Sequence, residues 1–499
     1  MGDDRPGDDR PGDAAAVAVA EVYSGSMTTG APVREPVPTE RRGHAPAEGR
    51  GPLDYEHRYT GRGPRGRLLS GVMGEYGADP IGAMRRWRDD YGDFVPIRFG
   101  PFRGHVAFGP TEIEEVLVER AADFRKSFGT RMLIPLLGHG LLTAEGDEWL
   151  RHRRLASPAF HRARVESYAR TMARYADDSA NAWIEGQAVD LHDDMTALTL
   201  RIVARTLFDT DVTTRIEEVA RLGAEIQDFY YLRFASLRFL IPAWLPTPGN
   251  RRLGAATRRL DEVVYAIIRD RRPDEDRGDL LSMLLQARDE QGAGMSERQV
   301  RDEVMTLLLA GHETTALALT WAFQLLDRNP EARRRLEAEL AAVLGGEPAS
   351  PEHVGALPYT QAIVNETLRL YPPAYITGRE AVRDTTIGGT LIPKGHIVLV
   401  SMYTTHRDER FFREPDAFRP ERWLDGLDKR LPRGAFIPFG LGSRKCIGAA
   451  FAMMETTLLL ATIARRWRFE LVPTEMATQP SITLRPASAM PGRMRSVPS

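Results

Sequence analysis

Cysteine is nearly absent from this sequence of 499 residues, which contains only Cys446. A single cysteine cannot form a disulfide within its own chain, so nothing indicates an oxidising compartment and we expect a cytoplasmic protein. The sequence also lacks any apolar run that approaches the ~18 residues required by a membrane-spanning helix, which predicts that no segment crosses a membrane. With 67 basic and 69 acidic residues, the net charge of -2 is too small for nucleic acid to be an expected partner.

The first part of the chain has few large apolar side chains. Residues 2–11 are two copies of Gly-Asp-Asp-Arg-Pro, and the segment that follows is rich in proline, glycine, arginine and glutamate. Such a composition buries too little surface to offset the loss of chain entropy, so we predict a disordered tail over residues 1–55. The acidic start differs from the basic start of a secretory signal, and no export signal is expected. No further linker interrupts residues 56–499, which are expected to form a single domain.

Helical periodicity dominates the rest of the chain and predicts a mainly α protein, with a large helical domain and little strand. Residues 94–99 and 104–108 are predicted to be two short strands of a hairpin, because Gly100 and Pro101 lie between them. The segment 297–327 predicts one helix of roughly 46 Å at 1.5 Å per residue. Its middle is apolar nearly all round, which is typical of a helix buried through a core, so polar groups there need a reason.

The lone cysteine lies in a distinctive segment that begins at Phe439 and reads Phe-Gly-Leu-Gly-Ser-Arg-Lys-Cys-Ile-Gly. A helix N-terminus and a bound metal both favour a thiolate, so Cys446 is a candidate metal ligand. Gly442 and Gly448 would let the backbone approach a flat cofactor, and Phe439 would pack against the cofactor's face. Arg444 would pair with an anionic substituent. Most free cysteines are buried packing residues, but Phe-x-x-Gly-x-Arg-x-Cys-x-Gly would match such a chain by chance roughly once in ten thousand.

This pattern resembles the haem-binding loop of the cytochrome P-450 family, in which the cysteine is the axial ligand of the haem iron. The resemblance implies the cytochrome P-450 fold with a small β-rich region. It also implies that haem b (iron protoporphyrin IX) lies between the long central helix and the cysteine loop. In that helix, the residues from Ala310 to Thr315 read Ala-Gly-His-Glu-Thr-Thr, which is similar to the family's oxygen-activation motif. Ala310 and Gly311 are therefore expected beside the cofactor.

The acid and the alcohol of that motif, Glu313 and Thr314, are the expected catalytic pair. Cleavage of dioxygen needs protons in a pocket that otherwise excludes water, and such a pair supplies a route for them. Isolated residues of these types more often serve structure, the threonine by bonding back to a helix carbonyl and the acid at the surface. Inside an apolar helix we favour the catalytic role. His312 is expected to be a core packing residue, because further metal ligands are lacking nearby.

Glu366 and Arg369 are spaced to form an ion pair on one helix face. Such pairs are common on surfaces, but this one is similar to the family's Glu-x-x-Arg motif, and Phe418 to Trp423 resemble the segment that supplies a third partner, Arg422. The resemblance implies a buried network that supports the cysteine loop. Breaking a network of this kind typically costs roughly 3 to 5 kcal/mol.

Donors for two haem propionates are also implied by the resemblance, since buried carboxylates require partners. Trp149 and Arg153 lie one helical turn apart and resemble the family's propionate-binding pair. Arg379 and Arg444 resemble two further donors. Together these four side chains could neutralise the charge of the cofactor.

Electrons are expected from a separate protein. Only about 50 residues follow the cysteine motif, too few for a flavin reductase domain, and no further cysteine is present to hold an iron–sulfur cluster. The resemblance therefore implies electrons from NAD(P)H through an external reductase and a ferredoxin or flavodoxin. Arg444, Lys445, Arg151 and Arg154 would form a basic dock for an acidic partner. We expect a monomer that uses dioxygen.

An aromatic segment, residues 229–244, corresponds to the region that covers the substrate pocket in the family. With residues 128–142 and 374–377 it predicts a medium-to-large apolar substrate, of the terpenoid, polyketide or fatty-acyl type found in secondary metabolism; core packing is the alternative role for the aromatic rings. The resemblance implies a monooxygenase. Two alternatives are a haem-thiolate peroxygenase or isomerase and a haem-based ligand sensor without turnover, and the Glu313 and Thr314 pair argues against both.

Overall fold

The computed structural model describes residues 55–497, except 211–214, 272–276, 290–291 and 474–475. The tail predicted over residues 1–55 therefore lies outside the described residues, apart from Tyr55. The α-helices of the described residues are α1 (Met73–Ala78), α2 (Pro80–Tyr91), α3 (Pro110–Glu114), α4 (Phe128–Arg131), α5 (Ile134–Leu137), α6 (Gly146–Ala156), α7 (Arg162–Ala182), α8 (Leu191–Phe208), α9 (Ile216–Phe234), α10 (Pro248–Arg269), α11 (Leu280–Gln286), α12 (Glu297–Arg328), α13 (Pro330–Leu344), α14 (Pro358–Leu370), α15 (Met402–Thr405), α16 (Leu427–Arg430) and α17 (Ala449–Ala464). None of these helices is both long and apolar enough to cross a membrane.

The strands are short and belong to small sheets. They are β1 (Phe94–Phe99), β2 (Phe102–Ala107), β3 (Phe124–Lys126), β4 (Ala188–Asp190), β5 (Thr377–Ala381), β6 (Thr385–Ile387), β7 (Thr390–Ile392), β8 (Ile397–Val400), β9 (Trp467–Leu471), β10 (Thr478–Pro480), β11 (Leu484–Pro486) and β12 (Pro491–Ser496). A five-stranded sheet has the order β1-β2-β8-β5-β3, in which only β2 and β8 pair in parallel. A three-stranded sheet has the order β4-β12-β9, and the pairs β6–β7 and β10–β11 complete the set. The predicted hairpin is confirmed as β1 and β2, although β2 begins at Phe102 rather than at Gly104, and the mainly α class is confirmed.

Helix α12 is the long central helix expected from the sequence. It starts where Ser296 and Gln299 form a reciprocal capping box, with the Ser296 Oγ accepting from the Gln299 N–H at 3.3 Å and the Gln299 Oε1 accepting from the Ser296 N–H at 2.9 Å. It ends just before Pro330, the first residue of α13, which lacks an N–H to continue it. Most of α12 is buried, but residues 309–311 and 313–314 are accessible. The accessible stretch marks where the helix borders a cavity.

A buried network holds the approach to the cysteine loop. Both side chains of the Glu366 and Arg369 pair have no exposed surface, and Arg422 donates to the Glu366 Oε1 at 3.0 Å. The three-member network predicted from the sequence is therefore confirmed. Arg369 also donates to the His406 carbonyl at 3.0 Å, and the ring of His406 accepts from the Ile437 N–H at 2.9 Å. The network thus reaches the chain immediately before the cysteine loop.

One further member of the network was not expected. The indole N–H of Trp423 donates to the Glu366 Oε2 at 2.9 Å. Burial alone would raise the pKa of the Glu366 carboxyl, but Arg369 and Arg422 outweigh burial and lower it. Glu366 therefore remains ionised, with every described partner a donor.

Candidate active site

A cavity of about 580 Å³ lies between the middle of α12 and the segment that carries Cys446. Its lining includes nearly all of the residues that the sequence singled out for the site. They are Trp149, Arg153, Ala310, Gly311, Glu313, Thr314, Arg379, Phe439, Arg444, Cys446 and Gly448. Segments far apart in the sequence therefore meet around one space.

Gly442 is the exception among the predicted site residues. It does not line the cavity. Its φ is +72°, which disfavours any residue with a Cβ, and a Cβ built there would lie 2.1 Å from the carbonyl oxygen of Leu117. Gly442 is thus needed for the loop to turn and to pack against the segment around Leu117.

Cys446 lies in the part of the cavity wall that the cysteine loop forms, two residues before the N-cap of α17. Its backbone N–H donates to the Phe439 carbonyl at 2.8 Å, which closes the loop, and its accessible surface faces the cavity. Burial raises the pKa of the Cys446 thiol, while the Gly448 N–H, Arg153 and Lys445 act in the opposite direction. A metal ion bound to the sulfur would favour the thiolate.

Cationic side chains are crowded at one edge of the same cavity. Lys126 and Arg379 are direct register partners on the neighbouring strands β3 and β5, a placement that is unfavourable for like charges unless an anion lies between them. Burial, with Arg444 nearby, lowers the pKa of Arg379 to about 10 and that of Lys126 to about 7. The ammonium of Lys126 donates to the carbonyl of Leu141 at 3.2 Å.

The other two cations of this edge belong to the cysteine loop and to α6. The guanidinium of Arg444 stacks 3.7 Å from the ring centroid of Trp149 and donates to the Glu145 carboxylate at 2.5 Å. Arg153 donates to the Lys445 carbonyl at 3.0 Å. Lys126, Arg153, Arg379 and Arg444 therefore place four basic side chains on the cavity edge, and Glu145 is the carboxylate paired with one of them. The excess of basic side chains over carboxylates at this edge suits a ligand with two carboxylates, such as the two haem propionates.

Lys126 is not among the site residues predicted from the sequence. It is the last residue of the short strand β3 and has no motif around it, and its importance depends on β3 pairing with β5. One signal was present: lysine is rare in a chain whose basic residues are nearly all arginine. A lysine in such a background, next to a predicted pocket wall, favours a functional role.

Glu313 and Thr314 both line the cavity, but they bond to different partners. The Thr314 hydroxyl donates to the Ala310 carbonyl at 2.8 Å, which is the back-bonding arrangement weighed above as the structural alternative. The Glu313 carboxylate accepts from the Gln227 side chain at 3.3 Å and from the Thr483 hydroxyl at 3.2 Å. These partners come from α9 and from the segment before β11, and sequence reasoning identified neither of them.

The Glu313 carboxyl also lies 3.5 Å from the guanidinium of Arg485 on β11. Burial would raise its pKa, but Arg485, His192 and His312 together with the Thr483 hydroxyl outweigh burial, so the pKa is lowered. Glu313 is therefore a carboxylate at neutral pH.

His312, which also belongs to the cavity lining, is buried. Its ring bonds to the Leu308 carbonyl at 2.6 Å, and burial lowers its pKa.

The rest of the cavity is mainly apolar. Residues from both predicted walls line it, including Phe128, Leu133 and Leu136 from the first wall and Ile376 from the second. The aromatic segment 229–244 contributes less than expected. Of its six aromatic residues, Phe234 and Phe239 line the cavity. Tyr230 instead donates from its hydroxyl to the Met132 carbonyl at 2.8 Å, and Trp244 is 80% exposed. For most of these rings the packing or surface role is therefore the observed one.

Arg151 does not contribute to a free basic surface. Its guanidinium donates to the Asp289 carboxylate at 2.7 Å and to the Gly294 carbonyl at 2.8 Å. These bonds tie α6 to the segment before α12. With the Ala293 carbonyl at 3.1 Å, Arg151 has three internal partners, which leave its guanidinium little to offer a protein surface.

Comparison with known proteins identifies the architecture. The family model described as Cytochrome P450 matches residues 62–491. Cyclooctatin synthase of Streptomyces melanosporofaciens is 41% identical over 79% of this chain and 87% of its own length. Cyclooctat-9-en-7-ol 5-monooxygenase of the same organism is 39% identical over 77% of this chain and 84% of its own length. Pentalenene oxygenase of Streptomyces avermitilis is 37% identical over 77% of this chain and 85% of its own length. The chain thus belongs to the cytochrome P450 family, whose cofactor is a haem held by a cysteine thiolate, and it is a monooxygenase.

Proposed function

We propose that this monooxygenase hydroxylates a cyclic terpenoid, with electrons from NAD(P)H delivered through a separate reductase and a ferredoxin or flavodoxin. The observation that carries the proposal is that the cysteine, four basic side chains, the Glu313 and Thr314 pair and an apolar wall meet in one cavity. When bound there, haem supplies the reductive activation of dioxygen. Each part of the wall then has a separate task.

In this proposal, the part of the wall formed by the cysteine loop and the basic edge holds the cofactor. Cys446 would hold the haem iron through its sulfur, and bonding to the metal would favour its thiolate. Lys126, Arg153, Arg379 and Arg444 would bind the propionates. A carboxylate between Lys126 and Arg379 would relieve the repulsion between these partners on adjacent strands.

Proton delivery is the proposed task of Thr314 and Glu313. The Thr314 hydroxyl now donates to the Ala310 carbonyl, and rotation about its side-chain bond would turn the donor into the cavity. Glu313 is held as a carboxylate by Arg485, so it can accept a proton and pass it on after leaving Gln227 and Thr483. The apolar wall excludes bulk water, so protons would arrive by this route rather than at random.

Replacing Thr314 by valine tests this route. We expect the amount of product formed per NAD(P)H oxidised to fall about tenfold or more, with the lost electrons recovered as hydrogen peroxide, because the shape is kept and the hydroxyl is removed. Thr320→Val is the matched control. Thr320 makes the same back-bond on α12, to the Ala316 carbonyl at 2.7 Å, but does not line the cavity. If the two variants form the same amount of product per NAD(P)H oxidised, the proposed route would be contradicted and a peroxide-using enzyme would be favoured.

The names of the relatives favour terpenoids over the other two substrate classes. Cyclooctat-9-en-7-ol and pentalenene, which appear in the names of two relatives, are cyclic terpenoid compounds. The apolar wall of the cavity, with Phe128, Leu133 and Leu136, suits such a skeleton.

An optical titration of the purified enzyme tests the substrate class. Pentalenene, cyclooctat-9-en-7-ol, palmitic acid and a macrolactone would each be added while the haem absorption band is followed. We expect the two terpenoids to give the larger spin-state change and a Kd about tenfold lower, or about 1.4 kcal/mol tighter binding. Tightest binding by palmitic acid or by the macrolactone would reject the terpenoid assignment.

Electron transfer is proposed to occur on the face beside the cysteine loop. Lys445 is exposed next to Cys446, and Arg154 is exposed on α6, which the Arg153 bond to the Lys445 carbonyl places against this loop. An acidic ferredoxin or flavodoxin would dock there. Lys445→Glu is expected to slow the first electron transfer about tenfold at low salt and to flatten its salt dependence. Lys394→Glu, an exposed lysine between β7 and β8, is the control, and similar slowing in both variants would refute this dock.

A further inference from the structure

Several large apolar side chains are exposed on one face of the protein. We call them the leucine–tryptophan patch, and they are Leu68, Leu69, Leu237, Leu240 and Trp244. Leu68, Leu69 and Trp244 are 89%, 87% and 80% exposed, the highest values among the large apolar residues that the structure describes. A single exposed leucine needs no explanation, whereas a group of exposed apolar side chains marks an interaction surface.

The two segments that carry the patch lie on either side of Gly100, in the turn between β1 and β2. The Gly100 N–H donates to the Ser70 carbonyl at 3.0 Å, which holds the turn that carries Leu68 and Leu69. A Cβ built on Gly100 would lie 3.5 Å from the Cδ2 of Leu237. The apolar side chains of the two segments are therefore neighbours, although they are far apart in the sequence.

The backbone that follows Leu240 is anchored, so the exposure of Trp244 is built into the fold. The side chain of Asn250, in the first turn of α10, donates to the Pro242 carbonyl at 2.9 Å and to the Leu245 carbonyl at 2.7 Å. These two bonds fix the chain on both sides of Trp244. The indole thus stands out from a fixed segment and is not covered by the described residues.

The two segments are basic and carry no acidic residue. Residues 57–74 contain four arginines and residues 229–260 contain six, and neither range contains aspartate or glutamate. The exposed arginines closest in sequence to the patch are Arg62, Arg65, Arg67, Arg238, Arg251 and Arg252. Exposed apolar side chains rimmed by arginine, with no acid among them, complement the surface of a membrane that contains anionic lipid.

We propose that the leucine–tryptophan patch docks this protein on the surface of a membrane that contains anionic lipid. The leucines and the indole enter the boundary between headgroups and acyl chains, and the arginines pair with lipid phosphates. A bilayer accepts projecting leucines without a matching pocket, whereas a protein partner would need one. Arginine also suits this position, because its apolar stem can follow the side chains into the interface while its guanidinium remains with the headgroups.

The patch adjoins the active-site cavity. Phe239 lies between Leu237 and Leu240 in the sequence and lines the cavity, with its ring centroid 5.8 Å from that of Phe102 and 5.5 Å from that of Phe128. Docking would therefore bring a wall of the cavity close to the bilayer, in which apolar compounds dissolve. Uptake of the substrate from the bilayer rests on the function proposed above, whereas docking itself does not.

Sedimentation of the holoenzyme with lipid vesicles tests the docking. At low salt we expect vesicles of phosphatidylcholine with roughly one third phosphatidylglycerol to be bound at least about tenfold more tightly than vesicles of phosphatidylcholine alone. Leu68→Asp and Arg238→Glu should each weaken binding to the anionic vesicles about tenfold, since the first removes apolar contact and the second reverses a rim charge. Ile184→Asp is the control. Ile184 is 68% exposed but lies beside Glu185 before β4, so this variant should bind like the wild type.

Tryptophan emission shows whether the patch itself enters the lipid. Anionic vesicles should shift the emission of the wild type to the blue, because the exposed indole of Trp244 leaves water. Trp244→Phe should lose this shift but still sediment with the vesicles, since phenylalanine keeps an apolar ring. A shift that persists in Trp244→Phe, or vesicle binding without any shift in the wild type, would exclude the patch as the docking surface.

The proposal is overturned if the wild type does not bind the anionic vesicles, or if Leu68→Asp and Ile184→Asp weaken binding equally. A dimer in sedimentation velocity that Leu68→Asp dissociates would assign the patch to a second copy of the chain instead. Slower first electron transfer in Arg238→Glu, measured without vesicles, would assign it to the redox partner. Vesicle binding is measured without substrate, so its failure leaves the terpenoid proposal standing, and a failed terpenoid titration leaves the docking result unchanged.

Discussion

Replacing Cys446 by serine should lower turnover by more than about 100-fold, because changes to residues that merely support a metal ligand already cost about 10- to 100-fold in affinity or activity. Cys446 is the only cysteine of the chain, so no neighbouring thiol can substitute for it. Serine has a similar size, and the Cys446 N–H bond to the Phe439 carbonyl would remain. The loop should therefore keep its shape while the iron loses the electron donation of a thiolate.

Turnover, haem content and thermal unfolding of the Cys446→Ser variant should be measured together. Ser443→Ala changes an exposed side chain in the same loop and serves as the control, which should remain active. A Cys446→Ser enzyme that turns over at the wild-type rate with a full complement of haem would exclude the thiolate from catalysis.

The second large effect is expected on stability. Glu366→Gln should lower the free energy of unfolding by roughly 3 to 5 kcal/mol, because it leaves the fully buried guanidinium of Arg369 without its carboxylate. It also weakens the bonds from Arg422 and Trp423. Since Arg369 bonds to the His406 carbonyl and His406 to the Ile437 N–H, haem retention should fall as well.

Urea unfolding of the holoenzyme measures this effect, with Glu331→Gln as a matched control. Glu331 and Arg334 have the same spacing as Glu366 and Arg369, but their side chains are 73% and 70% exposed. Loss of such a surface pair should cost at most about 1 kcal/mol. Equal destabilisation by the two substitutions would show that burial of the Glu366 network does not matter.

The features that local sequence determines were predictable. The long helix was expected to end at Asp327 and ends at Arg328, since its capping box and the following proline are both local signals. The Glu-x-x-Arg pair was found because its two residues lie one turn apart on a single helix. The cysteine loop was found because its pattern is contiguous.

Features that depend on distant segments were not predictable. The loop alone does not reveal that Leu117 packs against Gly442. Lys126 became important only through its pairing with Arg379 across two strands. The partners of Glu313 come from α9 and from the chain near β11, and no local pattern joins them. Arg151 likewise reads as a surface charge until Asp289 folds against it.

The central claim is that Cys446 binds haem iron as a thiolate. The absorption spectrum of the reduced, carbon monoxide-bound protein tests it most directly, because a thiolate ligand shifts the main haem band strongly to the red. We expect a spectrum of the thiolate type for the wild type and its loss in Cys446→Ser. A spectrum of the imidazole-ligated type, or a purified protein that binds no haem, would contradict the account.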